Sequence, residues 1–228
     1  MVPVTGLPPD HPARAAYRGE ARAAAYALDR FARGSGRETD RRERAALGDL
    51  LDRAGLPRGA RVLDCPSGAG RLADLLASRG LRVVAADQSP EMLAYAARAA
   101  AAAGLPRRLA AVDALALPFR PGAFDLVLCH RLLHHLATEK ERRALLASLA
   151  AASSRWVVVS WFDAVSLQHL RRTVRRPFRP SLRHAVTRAT LVRDAAAAGL
   201  RPAAFRAIRP LLSEASFALL ERSRTLPA

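Results

Sequence analysis

Lysine is almost missing from this chain. Lys140 is the only one, and cysteine and tryptophan occur twice each. Two unspaced cysteines exclude a disulfide framework and a structural zinc site of the usual thiolate type. No uninterrupted apolar run reaches the length that crosses a bilayer. The opening Met1-Val-Pro-Val-Thr-Gly-Leu-Pro-Pro lacks a basic region followed by an apolar core, so no signal peptide is read and a cytoplasmic protein is expected. Acids are also few. Asp and Glu total 20 against 37 basic residues, for a net charge of +17. Such a balance brings nucleic acid, anionic small molecules and anionic lipid under consideration. Disorder is not expected, because half of the 228 residues are hydrophobic. That is enough apolar material for one sizeable α/β domain.

The chain is organised around Arg61-Val-Leu-Asp-Cys-Pro-Ser-Gly-Ala-Gly-Arg-Leu-Ala73. Val62 and Leu63 read as a buried strand, Asp64 closes it, and Gly68 and Gly70 form a tight loop ahead of a helix over about Arg71 to Ser78. A strand, a glycine loop and a helix N-terminus make a nucleotide-binding corner, since glycine alone lets backbone approach a ligand this closely. Gly68-Ala-Gly-Arg-Leu-Ala73 also fits the dinucleotide pattern, so an NAD-dependent oxidoreductase is a reading to weigh. Asp64 opposes it, because a carboxylate beside the pyrophosphate would repel it. A donor carrying an ammonium and a sulfonium would be attracted instead.

Two further strands end the same way. Leu81 to Asp87 closes on an acid 17 residues beyond Gly70, near the offset at which a carboxylate reaches ribose hydroxyls. Ser89-Pro90-Glu91 then opens a helix as N-cap, first helical residue and first-turn acid, and Gly104 ends it. A third strand, Arg108 to Val112, runs into Asp113, and Phe124 to Cys129 forms a fourth. Trp156 to Ser160 is a fifth. Ala203 to Arg209 and Ser216 to Glu221 complete the set as an antiparallel pair. Thr138-Glu139 starts a helix with Leu145, Leu146 and Leu149 on one face. Regular β-α alternation predicts a parallel sheet with right-handed crossovers, ligands binding at its carboxyl edge.

In this order, Val62 to Gly70, Ala86-Asp-Gln-Ser-Pro-Glu-Met92, Asp113-Ala-Leu-Ala-Leu-Pro-Phe119, and Phe124 to Leu128 followed by Leu132-Leu-His-His-Leu136 resemble the class I S-adenosylmethionine-dependent methyltransferases. Within them the sequence is most similar to the small-molecule branch that includes the ubiquinone and menaquinone biosynthesis methyltransferases. The motifs span about residues 58 to 162. The family's loop carries a glycine where this chain has Pro66, which fixes φ and removes a backbone donor.

The resemblance implies an α/β fold: a Rossmann-like, doubly wound, seven-stranded, mostly parallel sheet with an antiparallel C-terminal hairpin. It implies a helical N-terminal lid over residues 1–57 and a methyltransferase domain over 58–228, with a basic cap at about 163–193. It also implies S-adenosylmethionine as methyl donor and S-adenosylhomocysteine as product. Asp64, Gly68 and Gly70 would hold the methionine part, Asp87 the ribose, Asp113 and Ala114 the adenine, with Gln88 and Met92 flanking the adenosine and His130 bordering the donor.

Methyl transfer needs alignment above all, and a base only where the acceptor must lose a proton. His134 and His135 are the candidate bases. His130 and His134 have the spacing of a zinc pair, but Arg131 replaces the usual glutamate and no third ligand is evident, so no metal is expected. Tyr26, Arg30 and Phe31 from the N-terminal helices, with Trp161 and Phe162 across the cleft, are the expected acceptor-side residues. The acceptor is read as a small molecule, anionic or membrane-associated. The alternatives are an RNA methyltransferase using the basic segment and a non-catalytic module that only binds the donor.

Overall fold

The computed structural model describes residues 34–106, 108–175 and 183–223. Seven strands form one sheet in the order β3-β2-β1-β4-β5-β7-β6. They are β1 (Arg61–Asp64), β2 (Arg82–Asp87), β3 (Leu109–Ala111), β4 (Phe124–Cys129), β5 (Ser153–Phe162), β6 (Leu200–Ala207) and β7 (Ala215–Arg222). The first five are parallel, and β7 inserts antiparallel between β5 and β6. The fold is the mostly parallel doubly wound sheet with an antiparallel C-terminal pair that the sequence implies.

Alternation along the central strands decides which helices cover which face. Val62, Leu126, Leu128 and Val158 pack on one side with Leu47, Leu50 and Leu51 of α1 (Gly34–Ala54) and Leu76 of α2 (Ala73–Ser78). Leu63, Val127, Val157 and Val159 pack on the other with Leu145, Leu146 and Leu149 of α4 (Glu139–Ala152) and Leu191 of α6 (Arg188–Ala197). Strands apolar on both faces are what a two-sided parallel sheet requires. Each leucine buried in this way contributes about 2 kcal/mol.

Helix starts follow local chemistry. Ser89 caps α3 (Pro90–Ala102) by accepting from the Met92 N–H at 3.2 Å, with Pro90 in the first turn. Thr138 and Glu141 form a capping box on α4. One expectation needs correction. In the sequence, Gly34-Ser35-Gly36 predicts a break followed by a helix from about Thr39 to Ala54, whereas α1 begins at Gly34. The Thr39 hydroxyl donates to the Ser35 carbonyl at 2.8 Å, and Arg41 and Arg42 both pair with Glu38, so side-chain contacts offset the low helix propensity of glycine.

The expected lid is described only from residue 34. Its C-terminal half is one layer of the domain, because Leu47, Leu50 and Leu51 share the core of β1 and β4. The basic segment resolves into α5 (Leu167–Arg175) and α6, with residues 176–182 outside the described set. Among the described residues, no helix is long and apolar enough to cross a membrane.

Candidate active site

A cavity of about 760 Å³ opens at the carboxyl ends of β1 to β4. Its size is that of a site for a nucleoside-sized molecule. The loop after β1 forms its floor. Gly68 and Gly70 have φ of +53° and +76°, the left-handed region that glycine enters without strain. A Cβ on Gly70 would meet Ala96 of α3 at 3.2 Å, so this residue sets how closely α3 approaches the loop. A Cβ on Gly68 would meet nothing within 4 Å and would project into open space, which is the surface a ligand can use. The Cys65–Pro66 peptide at the loop's start is cis.

Three strand-end acids face this loop with different partners. Asp87 accepts from the Gly68 N–H and the Ser89 N–H, each at 2.9 Å, and so ties the ends of β1 and β2 together. Burial raises its pKa, and those backbone donors pull it back. Asp113 caps a short 3-10 turn (Ala114–Ala116) through the Leu115 N–H at 2.9 Å. Asp64 is different. It is only 3 % exposed, its Oδ1 has no hydrogen-bond partner, and burial raises its pKa to about 7, with Arg71 pulling down and Asp87 pushing up. Ser67 Oγ beside it is also buried and without a partner. Buried polar atoms are rarely left unsatisfied, and a cationic donor of hydrogen bonds would complete Asp64.

Beside the loop is a charge cluster built on Glu43 of α1; Asp40, Arg71, His130 and Arg131 of this cluster line the cavity, and Glu43 lies behind them. Glu43 is 2 % exposed and accepts from Arg71 Nη2 at 2.7 Å and from Arg131 Nη2, while Arg71 Nη1 also donates to Asp40. Burial by itself would raise the Glu43 pKa. The contact with His130 and the charges of Arg131 and Arg71 reverse the sign and hold it below the usual carboxylate range. His130 Nδ1 lies 3.1 Å from Arg71 Nη2, which can only donate, so Nδ1 accepts and the ring proton is on Nε2, 3.5 Å from Glu43. Burial brings the His130 pKa down to about 4, so the ring is neutral near pH 7. Arg131 has φ +61°, a strained conformation for a non-glycine residue. Its N–H donates to Ser160 Oγ at 2.7 Å, which helps to hold it there.

The expected donor-site residues Asp64, Gly68, Gly70, Asp87, Gln88, Met92, Asp113 and His130 all line this one cavity; Ala114 does not. His135 lines it as well. His134 does not. It is buried, stacked on Phe162 at 4.0 Å, and its pKa is held well below the ordinary value by burial and then by the charges of His135, Arg131 and Arg183. Trp161 and Phe162 are also away from the cavity lining. β5 runs two residues further than expected, to Phe162, because it is hydrogen-bonded to β7 along Trp156–Phe162. Alternation along that strand turns Trp161 into the core, edge-on to Phe205 at 5.8 Å. Tyr26, Arg30 and Phe31 lie outside the described residues.

The sequence reading missed Asp40, Glu43, Arg71 and Arg131. Glu43 did carry a signal. It stands four and seven residues before Leu47 and Leu50 on the stripe of α1 that turns inward, and an acid on a buried stripe needs a partner. Cys65 and Cys129 end adjacent strands, buried and free, and burial pushes both thiol pKa values up.

Residues 62–154 match a family model described as a methyltransferase domain. An uncharacterized protein of Mycobacterium tuberculosis is 34 % identical over 139 residues, covering 60 % of this chain and 50 % of that protein. The demethylmenaquinone methyltransferase of Thermus thermophilus is 42 % identical over 103 residues, covering 44 % and 47 %. The chain thus spans about half the length of the curated relatives it matches. The magnesium protoporphyrin IX methyltransferase of Synechocystis PCC 6803, solved with bound SAH, aligns with a TM-score of 0.73 over 90 % of this chain and 95 % of that one. At 18 % identity that likeness concerns the fold. By its matched domain, its motifs and its strand order, the chain is similar to the class I S-adenosylmethionine-dependent methyltransferases.

Proposed function

We propose that this chain transfers a methyl group from S-adenosylmethionine to a small-molecule acceptor. The observation that carries the reading is Asp64: a buried carboxylate with an unpartnered oxygen, beside a glycine loop open to the cavity. That arrangement suits an ammonium and disfavours a pyrophosphate, which argues against the dinucleotide alternative.

When bound, the donor supplies a methyl group on a sulfonium, already activated for in-line displacement. The chain's own residues bind, orient and exclude water. We assign Asp64, Gly68 and Gly70 to the methionine part, Asp87 to the ribose, Asp113 to the adenine, with Gln88 and Met92 beside the adenosine. His130, neutral and fixed by Arg71, borders the donor without acting as a base. His135 is the residue placed to take a proton from an acceptor that must lose one. His134, buried behind it, is assigned no proton transfer. Holding the reacting groups in line supplies an effective molarity on the order of 10⁵ M or more.

The acceptor side is read as anionic or membrane-associated, because Arg71 and Arg131 line the cavity and the surface is strongly basic. The first turns of α1, which bring Asp40 to the cavity, are read as part of a lid over that side; the residues before Gly34 lie outside the described set. Two buried free thiols suit a reducing, cytoplasmic setting.

Calorimetric titration with S-adenosylhomocysteine, with NADH run in parallel, tests the reading. One-site binding of S-adenosylhomocysteine alone, weakened roughly thirtyfold in Asp64→Asn, is expected. Binding of NADH alone would overturn it, and binding of both ligands with Asp64→Asn unaffected would remove Asp64 from the site.

A further inference from the structure

Away from the cavity, one face of the molecule gathers nearly all of the exposed apolar bulk. Seven large hydrophobic side chains are exposed among the described residues, and six of them are Val165, Leu167, Leu170, Val174, Leu211 and Leu212. They come from two segments that touch. The Leu167 N–H donates to the Leu211 carbonyl at 2.7 Å, which joins the start of α5 to the turn before β7. Leu167, Leu170 and Val174 recur at i, i+3 and i+7, so they form one stripe along α5. Val174 is 69 % exposed and Leu211 74 %, values found when nothing packs over a side chain. Leu211 also has φ +60°, a conformation a β-turn seldom gives to leucine.

The sequence that carries this stripe is strongly basic: from position 163 to 213 it holds eleven arginines and two acids, Asp163 and Asp194. Asp163 is half-buried, and its Oδ1 accepts from the Val165 N–H at 2.9 Å. Asp194 is fully buried in an ion pair with Arg142 at 2.8 Å, so it offers nothing to the surface. Glu214, at the edge of the segment, is buried too and is held by Arg172 at 2.8 Å, a contact that anchors α5 to the body. Arg171 and Arg209, by contrast, are exposed beside the apolar side chains.

We propose that this face docks onto an anionic lipid bilayer, with the α5 stripe and Leu211-Leu212 entering the headgroup boundary and the surrounding arginines on lipid phosphates. A short helix with an apolar stripe and a cationic flank is suited to lie in the interface plane, its affinity the sum of apolar burial and attraction to anionic lipid. Two other occupants fit less well. A second copy would bring two arginine-rich faces together. Single-stranded nucleic acid is gripped by aromatic platforms, and among the described residues the exposed large apolar side chains here are aliphatic. The docking face follows β5 on the carboxyl edge of the sheet, the edge on which the cavity opens. The inference stands apart from the methyl-transfer reading, since it needs neither donor nor acceptor.

Co-sedimentation of the full chain with vesicles tests it, using phosphatidylcholine alone and phosphatidylcholine mixed with phosphatidylglycerol. Binding to the mixed vesicles is expected to exceed binding to the neutral ones by about tenfold or more, and to weaken as salt is raised. The double variant Leu170→Ser/Val174→Ser is expected to lose about tenfold in partition. Arg171→Gln is expected to lose about fivefold. Thermal unfolding checks that each variant keeps the parent's stability, and Leu211→Ser on the neighbouring turn gives an independent probe of the same face. Equal binding to both vesicle types, no binding at all, or variants that bind as well as the parent would overturn the proposal. So would concentration-dependent dimerisation abolished by the serine variants, or salt-sensitive RNA binding that they reduce.

Discussion

Two buried carboxylates stand close to one cavity, Asp64 in its lining and Glu43 behind Arg71 and Arg131, and their surroundings could hardly differ more. Glu43, on the α1 wall, takes hydrogen bonds from Arg71 and Arg131 and sits against His130. Asp64, on the rim formed by the ends of β1 to β3, keeps an oxygen without a partner. The first has its pKa driven down and the second has it driven up. Both acids are nearly inaccessible, so burial alone does not distinguish them. What separates them is whether the protein supplies the counter-charge. Where it does, the acid is a fastening. Where it does not, the acid is an unfilled requirement of the kind a cationic ligand can meet. The cavity is therefore backed by a fastened acid and lined by an unsatisfied one.

Cutting the fastening has the largest expected effect. Glu43→Ala removes the carboxylate that Arg71, Arg131 and His130 share, and loss of one member of a buried ionic cluster costs about 3–5 kcal/mol. Denaturant unfolding should register that loss before any ligand is added. A variant as stable as the parent would mean that the cluster is held by its other contacts and that Glu43 is dispensable.

Asp64→Asn should behave in the opposite way. The ligand-free protein loses a charge that burial disfavours, so its stability at pH 8 is expected to hold or rise. Binding of S-adenosylhomocysteine is expected to weaken by about 2 kcal/mol, or roughly thirtyfold, the worth of a hydrogen bond to a charged group. A drop in stability with unchanged affinity would exchange the roles assigned to the two acids.

Protonation sharpens the contrast. On the proposed reading an ammonium is recognised by ionised Asp64, whose pKa of about 7 puts the ordinary working range on its titration. Affinity should be greatest above pH 7 and fall by up to about tenfold per pH unit below it. In Asp64→Asn that dependence should vanish. For the ligand-free fold the two acids pull in opposite directions. The folded pKa of Asp64 exceeds its unfolded value of about 3.9, so its contribution to stability improves as pH is lowered from 7 toward 4. The folded pKa of Glu43 is depressed, so its contribution is present above about pH 4.3 and is lost on further acidification. Stability should therefore improve as pH falls from 7 toward about 4.3 and decline on further acidification; a profile without the first rise would remove the raised pKa of Asp64, and one without the later decline would remove the fastening role of Glu43.

The same division explains what could be read from the sequence. The rim is specified locally. Gly68 and Gly70 are where φ must be positive, Asp64 and Asp87 are where strands end, and Ser89-Pro90 is where a helix must start. Each of these follows from a residue and its immediate neighbours, so the strands and the residues that line the cavity on that side were legible. The wall is specified by packing between distant segments. Glu43 meets Arg131 across 88 positions and Arg71 across 28, and no local rule links them. Trp161 was misread for a related reason. Its position looked like a cleft mouth because β5 was expected to stop at Ser160, whereas pairing with β7 carries the strand through Phe162. That pairing depends on a strand more than fifty residues later in the chain.

The two neighbouring histidines give the smallest expected effect and the finest test. His134 and His135 share one 3-10 turn, with ring centroids 4.3 Å apart, yet only His135 lines the cavity. His134 stacks on Phe162 nearly parallel, 4° between planes, and its Nδ1 is buried without a partner. Replacing it with phenylalanine keeps the ring, keeps the stack and removes an unsatisfied polar atom. His134→Phe is therefore expected to change stability by less than about 1 kcal/mol, within the range of a volume-conserving core swap. Donor affinity and methyl transfer should be unchanged. His135→Gln, by comparison, is expected to lower turnover only for acceptors that must give up a proton, leaving transfer to already ionised acceptors intact. If His134→Phe instead lowers kcat about tenfold or more with KM unchanged, proton transfer runs through the buried ring. The cavity would then have to open toward Phe162 during turnover, joining the wall and the carboxyl end of β5 in one site.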